Sequence, residues 1–323
     1  MSGRIAIGVI GLGVMGQRML ARIAEHPRSR ALAAWDPDPG ALAAARARHP
    51  GLIAARSPAE VIGAAGLHCL YVASPPASHL DYANQAFDAG LAVLCEKPLT
   101  IDFEAARRSI ARIAAQKLRA AVNFSLASSP GLAAMAAAVK DGSIGEPRAV
   151  EIEVAFDQWP RAWQAAAGRW LAERTEGGFT REVLSHFVFV LQRALGKATL
   201  ERSRPEYPPD GVSAERALEA RLEAGGLPVK VAGRVGGSHP DFNRMTLVGS
   251  RGALEIHDWF GLRRRREGEE WIAERSPQEN RAIGQAAQLD QLVEMVQGRS
   301  HGLPDFGEAL AVQETIEALL KGR

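Results

Sequence analysis

The chain has 323 residues, of which 46% are hydrophobic and 24% are charged, and its formal net charge is +2. This length predicts two domains, each large enough to bury its own core. The near-neutral charge argues against nucleic acid as a partner, and no apolar stretch approaches the roughly 18 residues that cross a membrane. Cys69 and Cys95 lie in apolar runs, which predicts buried, reduced thiols of the kind found in the cytoplasm.

The first 123 residues alternate between predicted strands and predicted helices. Short apolar runs predict strands at residues 4–10, 31–35, 67–73, 91–95 and 119–123. Helical spacing predicts helices at residues 14–24, 38–48, 77–89 and 103–116. Buried strands that alternate with helices predict an α/β fold with a doubly wound parallel sheet.

A different pattern follows Asn123. Partial alternation of apolar and polar residues predicts half-exposed strands at residues 148–156, 215–223, 229–236, 244–249 and 253–257. Two helices are predicted near residues 283–297 and 306–320. This pattern indicates an α+β domain with an open, mostly antiparallel sheet. We therefore expect a first domain over residues 1–123 and a second over residues 124–323.

A glycine-rich turn joins the first predicted strand to the first predicted helix. It has the pattern GxGxxG, formed by Gly11, Leu12, Gly13, Val14, Met15 and Gly16. In this context the glycines permit a tight turn, a close approach of the backbone to a pyrophosphate, and close packing of helix on strand. The N-terminus of the helix offers N–H groups to the phosphates. The pattern predicts that the first domain binds a dinucleotide.

Asp36 ends the second predicted strand, where a carboxylate accepts hydrogen bonds from the adenosine ribose hydroxyls. A 2′-phosphate would be repelled there, and the next residues, Pro37, Asp38 and Pro39, supply no cation to bind it. The sequence therefore favours NAD over NADP as the cofactor. The alternative is that Asp36 caps the following helix, a role that is open to Asp38 as well.

Two segments lie where predicted strands end, which is where open α/β sheets bind ligands. One is Ser74-Pro75-Pro76-Ala77-Ser78-His79 and the other is Glu96-Lys97-Pro98. Together with the glycine turn they resemble the glucose–fructose oxidoreductase and inositol dehydrogenase family, Gfo/Idh/MocA. Residues 249–254 and 305–313 are similar to that family's turn between two strands of the second domain and to its final helix.

The resemblance implies a Rossmann domain followed by an α/β domain with a large open sheet. It also implies that Ser74, Pro75, His79, Glu96 and Lys97 lie at the dinucleotide. In many members the open sheet packs against another subunit, so a homo-oligomer, either a dimer or a tetramer, is expected. An uncovered sheet of this size is also expected to expose a sizeable apolar surface.

The same resemblance assigns the chemistry. Lys97 is expected near the nicotinamide and the reacting oxygen of the substrate, with Glu96 orienting the pocket. His186 is the best candidate for the general acid or base, because the reference pKa of histidine lies near the working pH. Glu182 precedes His186 by four residues, a spacing that places both on one face of a regular helix. Glu182 is expected to orient His186 or to bind substrate.

The sequence departs from the family pattern at three positions. Glu182 stands where aspartate is usual, Phe189 stands where an aspartate often binds sugar hydroxyls, and Pro76 stands where asparagine is frequent. The loss of a polar group at residue 189 argues against a standard inositol or hexose substrate. Expected substrate contacts are Asn123, Trp163, Arg169, Trp170 and Arg181. Core packing is the alternative for the two tryptophans, and a surface position is the alternative for Arg181.

The function that follows is reversible hydride transfer between nicotinamide and a carbon that bears a hydroxyl or carbonyl group. The substrate is expected to be a small sugar-like compound, a cyclic diol or a keto acid. Two alternatives are a non-catalytic dinucleotide sensor of the same fold and a glycoside hydrolase that uses NAD transiently. The run of four arginines at residues 263–266 is followed by Glu267, Glu269 and Glu270, which indicates a solvated strand rather than a nucleic-acid site. No histidine spacing suggests a metal site.

Overall fold

The computed structural model describes residues 3–167, 169–238 and 240–322, and the side chains of residues 165–167 and 169 lie outside that description. The chain divides into two compact units. The first contains Met1–Phe124 and Gln285–Leu310, and the second contains Ser125–Gly284 and Ala311–Arg323. A single boundary near residue 123 therefore accounts for one of the three places where the chain passes from one unit to the other.

The first unit contains a six-stranded parallel sheet in the order β3-β2-β1-β4-β5-β6. Its strands are β1 (Ile5–Ile10), β2 (Ser29–Trp35), β3 (Ile53–Ala54), β4 (Cys69–Val72), β5 (Ala92–Glu96) and β6 (Ala120–Asn123). Its helices are α1 (Val14–Glu25), α2 (Pro39–Arg48), α3 (Pro58–Ile62), α4 (His79–Asp88) and α5 (Phe103–Gln116). This is the doubly wound order of a Rossmann domain, as the sequence predicts, and the strand order reverses next to β1.

The second unit contains a mixed, mostly antiparallel sheet of eight strands in the order β14-β13-β12-β11-β7-β10-β9-β8. The strands are β7 (Pro147–Phe156), β8 (Ala198–Glu206), β9 (Ala217–Ala224), β10 (Leu227–Val235), β11 (Phe242–Gly249), β12 (Gly252–His257), β13 (Gly261–Arg266) and β14 (Ile272–Arg275). Only the described pair of β7 and β10 is parallel. The remaining helices are α6 (Pro130–Asp141), α7 (Ser185–Leu195), α8 (Pro277–Val296) and α9 (Phe306–Lys321).

Local sequence signals explain where several helices begin and end. Asp38 caps α2 by accepting a hydrogen bond from the Gly40 N–H at 2.8 Å, with a proline at the first helical position. Ser129 caps α6 in the same way at the Leu132 N–H, and Gly142 ends that helix with a φ of +69°. None of the helices in these described ranges is long and apolar enough to span a membrane.

The eight-stranded sheet has two faces of opposite character. On β7, Val150, Ile152 and Val154 are buried on the face that carries α6 and α7, whereas Glu151 and Glu153 point to the other face. In the strand register, charged residues continue that second face at Glu219, Arg221, Lys230, Arg234, Arg244, Glu255 and Arg263. The expected apolar surface is therefore wrong for the described strands, because alternating polar residues make this face charged.

Candidate functional site

The glycine turn between β1 and α1 divides its glycines between two tasks. Gly11 has a φ of +94°, and a Cβ atom there would strike the backbone at Ala73. A Cβ at Gly16 would collide with the carbonyl oxygen of Gly11. Gly13 differs, because a Cβ there would meet nothing within 4 Å. Gly11 and Gly16 thus serve the packing of the turn, while Gly13 leaves an open face that a ligand can approach.

The N-terminus of α1 presents its amides without competition from side chains. The helix begins at Val14, its N-cap Gly13 has no side-chain cap, and its first turn, which includes Met15, contains no acidic residue. The first N–H groups of a helix lack partners within the helix. Donors at such a terminus suit a phosphate, and the fit to the pyrophosphate of a dinucleotide is good.

Asp36 is held beside this turn at the end of β2. Its Oδ2 accepts a hydrogen bond from the Leu12 N–H at 2.6 Å, and its Oδ1 accepts one from the Asp38 N–H at 2.8 Å. Asp38, not Asp36, caps α2. Each carboxylate oxygen of Asp36 retains a lone pair after these bonds, so the group can also accept from ribose hydroxyls. The carboxylate is thus held beside the glycine turn, and its contact with the ribose stays a prediction.

The segment after β4 is tied to the segment after β5 by His79. The ring of His79 is buried, with Nδ1 at 2.8 Å from the Pro98 carbonyl oxygen and Nε2 at 2.7 Å from the Ser74 carbonyl oxygen. Burial lowers the pKa of His79, so a neutral ring donates to only one of the two carbonyls. Pro75 is exposed in the same segment, and Ser74 Oγ lies 2.8 Å from Ser78 Oγ. His79 thus packs between the two segments and donates a hydrogen bond to one of them.

A buried hydrogen-bond network surrounds Glu96 at the end of β5. Its Oε1 accepts hydrogen bonds from the Tyr71 hydroxyl and from Asn123 Nδ2. Asn123 Oδ1 in turn accepts from Gln288 Nε2 at 2.6 Å. All four side chains are buried. Burial raises the pKa of Glu96, and the bonds from Tyr71 and Asn123 act in the opposite direction. The amide of Asn123 is thus engaged on both sides, and its expected substrate contact stays a prediction.

Lys97 follows Glu96 directly, at the carboxyl end of the parallel sheet. The residue is half-buried, and the Lys97–Pro98 peptide bond is cis. Its positive charge lies near the Glu96 carboxylate and opposes the rise in the Glu96 pKa that burial causes. Lys97 therefore lies on a segment between the hydrogen-bonded Glu96 and Pro98, whose carbonyl contacts His79.

In the second unit, two adjacent glycines, Gly177 and Gly178, form a Gly-Gly segment that leads into an irregular helix start. Thr180–Leu184 forms a π-helical turn that continues into α7, and it replaces the regular helix expected for Glu182 and His186. A π-helix has a wider turn than an α-helix, so the four-residue spacing no longer has its α-helical meaning. Glu182 is half-buried in the π turn, and His186 is buried near the start of α7. Such π turns are frequent at functional sites.

A buried carboxylate explains Gly178, the second glycine before this turn. Glu215 Oε1 accepts a hydrogen bond from the Thr180 N–H at 2.8 Å. Gly178 has a φ of +97°, and a Cβ there would collide with that carboxylate. Burial raises the pKa of Glu215. Gly178 is thus needed to let Glu215 reach the start of the π turn.

The Arg181 guanidinium is engaged with other groups of the second unit. Its Nε and Nη2 donate to the two carboxylate oxygens of Glu317 at 2.6 and 2.9 Å. Its Nη1 donates to the carbonyls of Arg174 and Gly177, each at 2.8 Å. Four donors of the guanidinium are therefore used within the protein. Arg181 links the Gly-Gly segment to α9, and its expected contact with substrate stays a prediction.

The other expected substrate contacts lie in the segment between β7 and the π turn. Trp163 is 48% exposed, and Trp170 is half-buried in a short 3-10 turn. The side chain of Arg169 lies outside the described residues. The Arg161 guanidinium lies over the rings of Trp163 and Trp259, at 4.7 and 5.7 Å from the ring centroids. These contacts place an aromatic and cationic cluster in the second unit.

Trp259 brings that cluster to His186. The two rings meet edge to face, with centroids 5.4 Å apart and an interplanar angle of 80°. Sequence reasoning missed Trp259, as it missed Tyr71, Gln288 and Glu215. Each of these residues lies far along the chain from the group that it contacts, so no local spacing points to it. For Trp259, a lone tryptophan in a short turn between two strands was the available signal.

Comparison with known proteins agrees with this architecture. Residues 5–124 match the profile described as "Oxidoreductase family, NAD-binding Rossmann fold", and residues 136–322 match "Oxidoreductase family, C-terminal alpha/beta domain". Together with the glycine turn, the Asp36 carboxylate beside it and the Glu-Lys-Pro segment, these matches identify the class: the chain belongs to the Gfo/Idh/MocA oxidoreductase family. The dinucleotide-binding fold of its first domain follows from that membership.

Individual relatives refine the picture. Inositol 2-dehydrogenase 4 of Saccharopolyspora erythraea is 31% identical over 150 residues, which cover 46% of this chain and 44% of that protein. The matched stretch thus spans less than half of that relative. An oxidoreductase from Agrobacterium radiobacter, solved with NAD+, L-tartaric acid and magnesium, superposes with a TM-score of 0.82 at 14% identity, covering 98% of this chain and 96% of its own.

A third relative binds the other dinucleotide. A mutant of KijD10, a 3-ketoreductase from Actinomadura kijaniata solved with TDP-benzene and NADP, superposes with a TM-score of 0.80 at 19% identity. The superposition covers 99% of this chain and 98% of that one. At these identities, likeness to a solved structure shows the fold alone. The fold accommodates both NAD and NADP, so the choice between them rests on residues of this chain.

Proposed function

We propose that this protein is an NAD-dependent dehydrogenase or reductase that acts on a hydroxyl or carbonyl carbon of a small cyclic substrate. The observation that carries the proposal is the pairing of the open face at Gly13 with the Asp36 carboxylate, which is held beside it by the Leu12 N–H. Membership of the oxidoreductase family supports it. Homologues named inositol 2-dehydrogenase support a dehydrogenase that acts on a polyol-like ring.

NAD is proposed over NADP because of charge. A 2′-phosphate bound near Asp36 would meet a carboxylate, and Asp38 lies two residues further on. Both oxygens of Asp36 are already fixed by backbone donors, so the carboxylate cannot simply swing away to admit a phosphate. The cost of placing like charges together favours the cofactor without the phosphate.

The bound nicotinamide supplies or accepts the hydride in the proposed reaction. In the oxidative direction the C–H bond of the carbinol breaks, the hydroxyl loses its proton, and a carbonyl forms. We assign the handling of that proton to Lys97 and His186, with Glu182 as a supporting group. Tyr71 and Gln288 act on Lys97 only through the Glu96 network and the backbone, so they are positioning residues, whereas Asn123 keeps its predicted substrate contact.

Turnover of ring and open-chain alcohols with NAD+ tests the proposal. We expect NADH formation with at least one cyclic secondary alcohol or diol, and a loss of about 100-fold or more in kcat for Lys97→Ala. Lys97→Arg should not restore the rate, because a guanidinium cannot exchange the proton. The His186→Ala variant gives the second arm. Full activity in both alanine variants would contradict the assignment.

A second copy of this chain is the proposed macromolecular partner, through the eight-stranded sheet. Because the described free face is charged, contact between copies would be made largely by ion pairs, which salt screens. We therefore expect the oligomer to dissociate, at least in part, as salt is raised. Light scattering after size-exclusion chromatography at low and high salt measures this. A monomer at low salt would contradict the proposal.

A further inference from the structure

The turn between β12 and β13 holds two residues other than glycine in an unfavourable backbone conformation. Asp258 has a φ of +46° and Trp259 a φ of +71°. Residues other than glycine seldom adopt positive φ, and for a large side chain such as tryptophan it is a true outlier. Conformations of this kind persist where the surroundings over-determine them, and they cluster at ligand-binding sites.

Buried asparagines lock this turn. Asn243 on β11 accepts the Trp259 N–H at its Oδ1, at 2.7 Å, and accepts the Asp258 N–H at its carbonyl, at 2.9 Å. Asn280 on α8 donates its Nδ2 to the Phe260 carbonyl at 2.8 Å. Neither asparagine is more than 5% exposed. Partners from two other elements therefore fix the direction in which the Trp259 side chain leaves the backbone.

The locked indole lies directly against the histidine that we assign to proton transfer. Trp259 meets His186 edge to face and stacks on Phe187, with centroids 6.2 Å apart and an angle of 30°. The indole itself is only half-buried. Phe187 and the Arg161 guanidinium, which lies 5.7 Å from the indole centroid, cover part of the ring. The indole stands on a strained turn beside His186 and keeps an exposed part, which are properties of a surface for substrate rather than of a core residue.

We propose that Trp259 is a specificity-determining residue that receives the C–H face of a ring substrate beside His186. The proposal rests on the proposed function and names its substrate class: a saturated ring with a secondary alcohol or ketone, one face of which carries hydrogens rather than hydroxyls. Apolar ring faces pack well on aromatic side chains, and small-molecule sites combine such walls with few polar groups.

The residue one turn beyond His186 agrees with this class. Phe189 is buried, and the Arg193 guanidinium lies over its ring at 5.1 Å from the centroid. Position 189 therefore supplies no carboxylate to a second hydroxyl. Selection by the shape and apolarity of a ring face takes the place of selection by a pair of hydroxyls.

Two matched diols test the platform without requiring turnover. trans-Cyclohexane-1,2-diol and hexane-3,4-diol both have six carbons and two adjacent secondary hydroxyls, but only the first is a ring. Their affinities for the full-length protein with NAD+ present are measured by saturation-transfer NMR titration. We expect the wild type to bind the ring diol about fivefold to tenfold more tightly, in line with the value of a specific aromatic contact.

Three variants complete the test. Trp259→Leu should reduce the ring preference to within about twofold, and Trp259→Phe should retain part of it. The control is Trp271→Leu, since Trp271 packs between Arg263 and Arg265 on the charged sheet face, at 4.8 and 4.7 Å, away from α7. It should keep the full preference. Melting temperatures show whether each variant is folded, and if Trp259→Leu is not, Trp259→Phe carries the comparison.

Several outcomes overturn the platform. They are equal affinity for the two diols, no measurable binding of the ring diol to the wild type, an unchanged preference in Trp259→Leu, or an equal loss in Trp271→Leu. Failure of the proposed function has a different signature. In that case NADH does not bind or no alcohol is oxidised, whatever the diols do. Oxidation of open-chain alcohols alone would refute the platform and the cyclic substrate, while NAD-dependent oxidation of an alcohol would stand.

Discussion

Two turns of this molecule solve the same backbone problem in opposite ways. The turn after β1 uses Gly11 at a φ of +94°, where glycine has no steric cost. The turn after β12 places Asp258 and Trp259 at positive φ, at a cost of about 1–2 kcal/mol for each residue. The first turn is specified by adjacent residues and the second by Asn243 and Asn280, which are distant in sequence. Local chemistry can be read from a sequence, whereas strain held by remote partners cannot.

The largest expected effect tests the division of tasks within the glycine turn. Gly13→Leu should weaken NADH binding by about 100-fold or more while leaving the melting temperature nearly unchanged, because its side chain enters open space that the cofactor needs. Gly16→Leu should instead lower the melting temperature, since its side chain meets the Gly11 carbonyl. Isothermal calorimetry and thermal unfolding measure the two effects. Equal loss of stability in both variants would contradict the division.

The next effect tests contacts that are remote in sequence but lie in the same unit as the glycine turn. Tyr71→Phe removes a donor from the buried Glu96 and should cost about 1–3 kcal/mol of unfolding free energy. The donor stabilises the ionised carboxylate, so its removal raises the pKa of Glu96 still further above the ordinary value.

The sign of the pH dependence follows from this. A raised folded-state pKa means that the native state binds more protons, so stability falls as pH rises through that range. The loss in Tyr71→Phe should therefore be larger at about pH 8 than at about pH 5. Urea unfolding at the two pH values measures it, and Tyr82→Phe, in α4, is the control. A loss that is independent of pH would show that Glu96 does not sense the hydroxyl.

A smaller effect sharpens the account of the second unit. Arg181→Gln and Glu317→Gln should each cost about 1–2 kcal/mol, because each breaks a two-pronged, partly buried ion pair. The double variant should lose less than the sum of the two single losses. Chemical unfolding of the four proteins closes this cycle. If the single variants lose ring-diol affinity instead of stability, Arg181 contacts substrate after all.

The smallest effect concerns His79, which lies between the segments that follow β4 and β5. Its folded-state pKa is lowered by burial, so below the ordinary histidine pKa the unfolded chain binds a proton more readily than the native protein. The free energy of unfolding should therefore fall as pH drops below about 6.5. His79→Gln should reduce the slope of that free energy against pH by less than about 1 kcal/mol per pH unit. Melting temperatures between about pH 5 and pH 7 measure this. An unchanged pH dependence of the melting temperature in the variant would show that His79 does not contribute to it.

The sequence predicts most of the first unit because its signals are local. The apolar runs and the glycine pattern predict β1, α1, β2, α2 and α5 to within about two residues. The short β3 and α3 escaped prediction, because two and five residues are too few to show a period. In the second unit, the Ala-rich α6 lacks a clear helical period of polar residues, and the charged strand β8 lacks the alternation of a half-buried strand. The π turn at Thr180–Leu184 has no sequence signature.

The candidate site divides in the same way. Gly13, Asp36 and Lys97 follow from motifs of a few adjacent residues, and the structure places Asp36 next to the glycine turn as expected. Gln288 reaches the Glu96 network from 165 residues beyond Asn123, and Asn243 meets Trp259 across two strands. Such pairs depend on how strands and helices pack, which single-sequence patterns do not encode.

The most direct test of the central claim is a parallel titration of NADH and NADPH into the wild type, Asp36→Asn and Asp38→Asn. We expect the wild type to bind NADH tightly and NADPH much more weakly. Asp36→Asn should narrow that gap, whereas Asp38→Asn, which affects only the cap of α2, should preserve it. A wild type that prefers NADPH, or that binds neither dinucleotide, would contradict the account of the Asp36 carboxylate and of the site built around it.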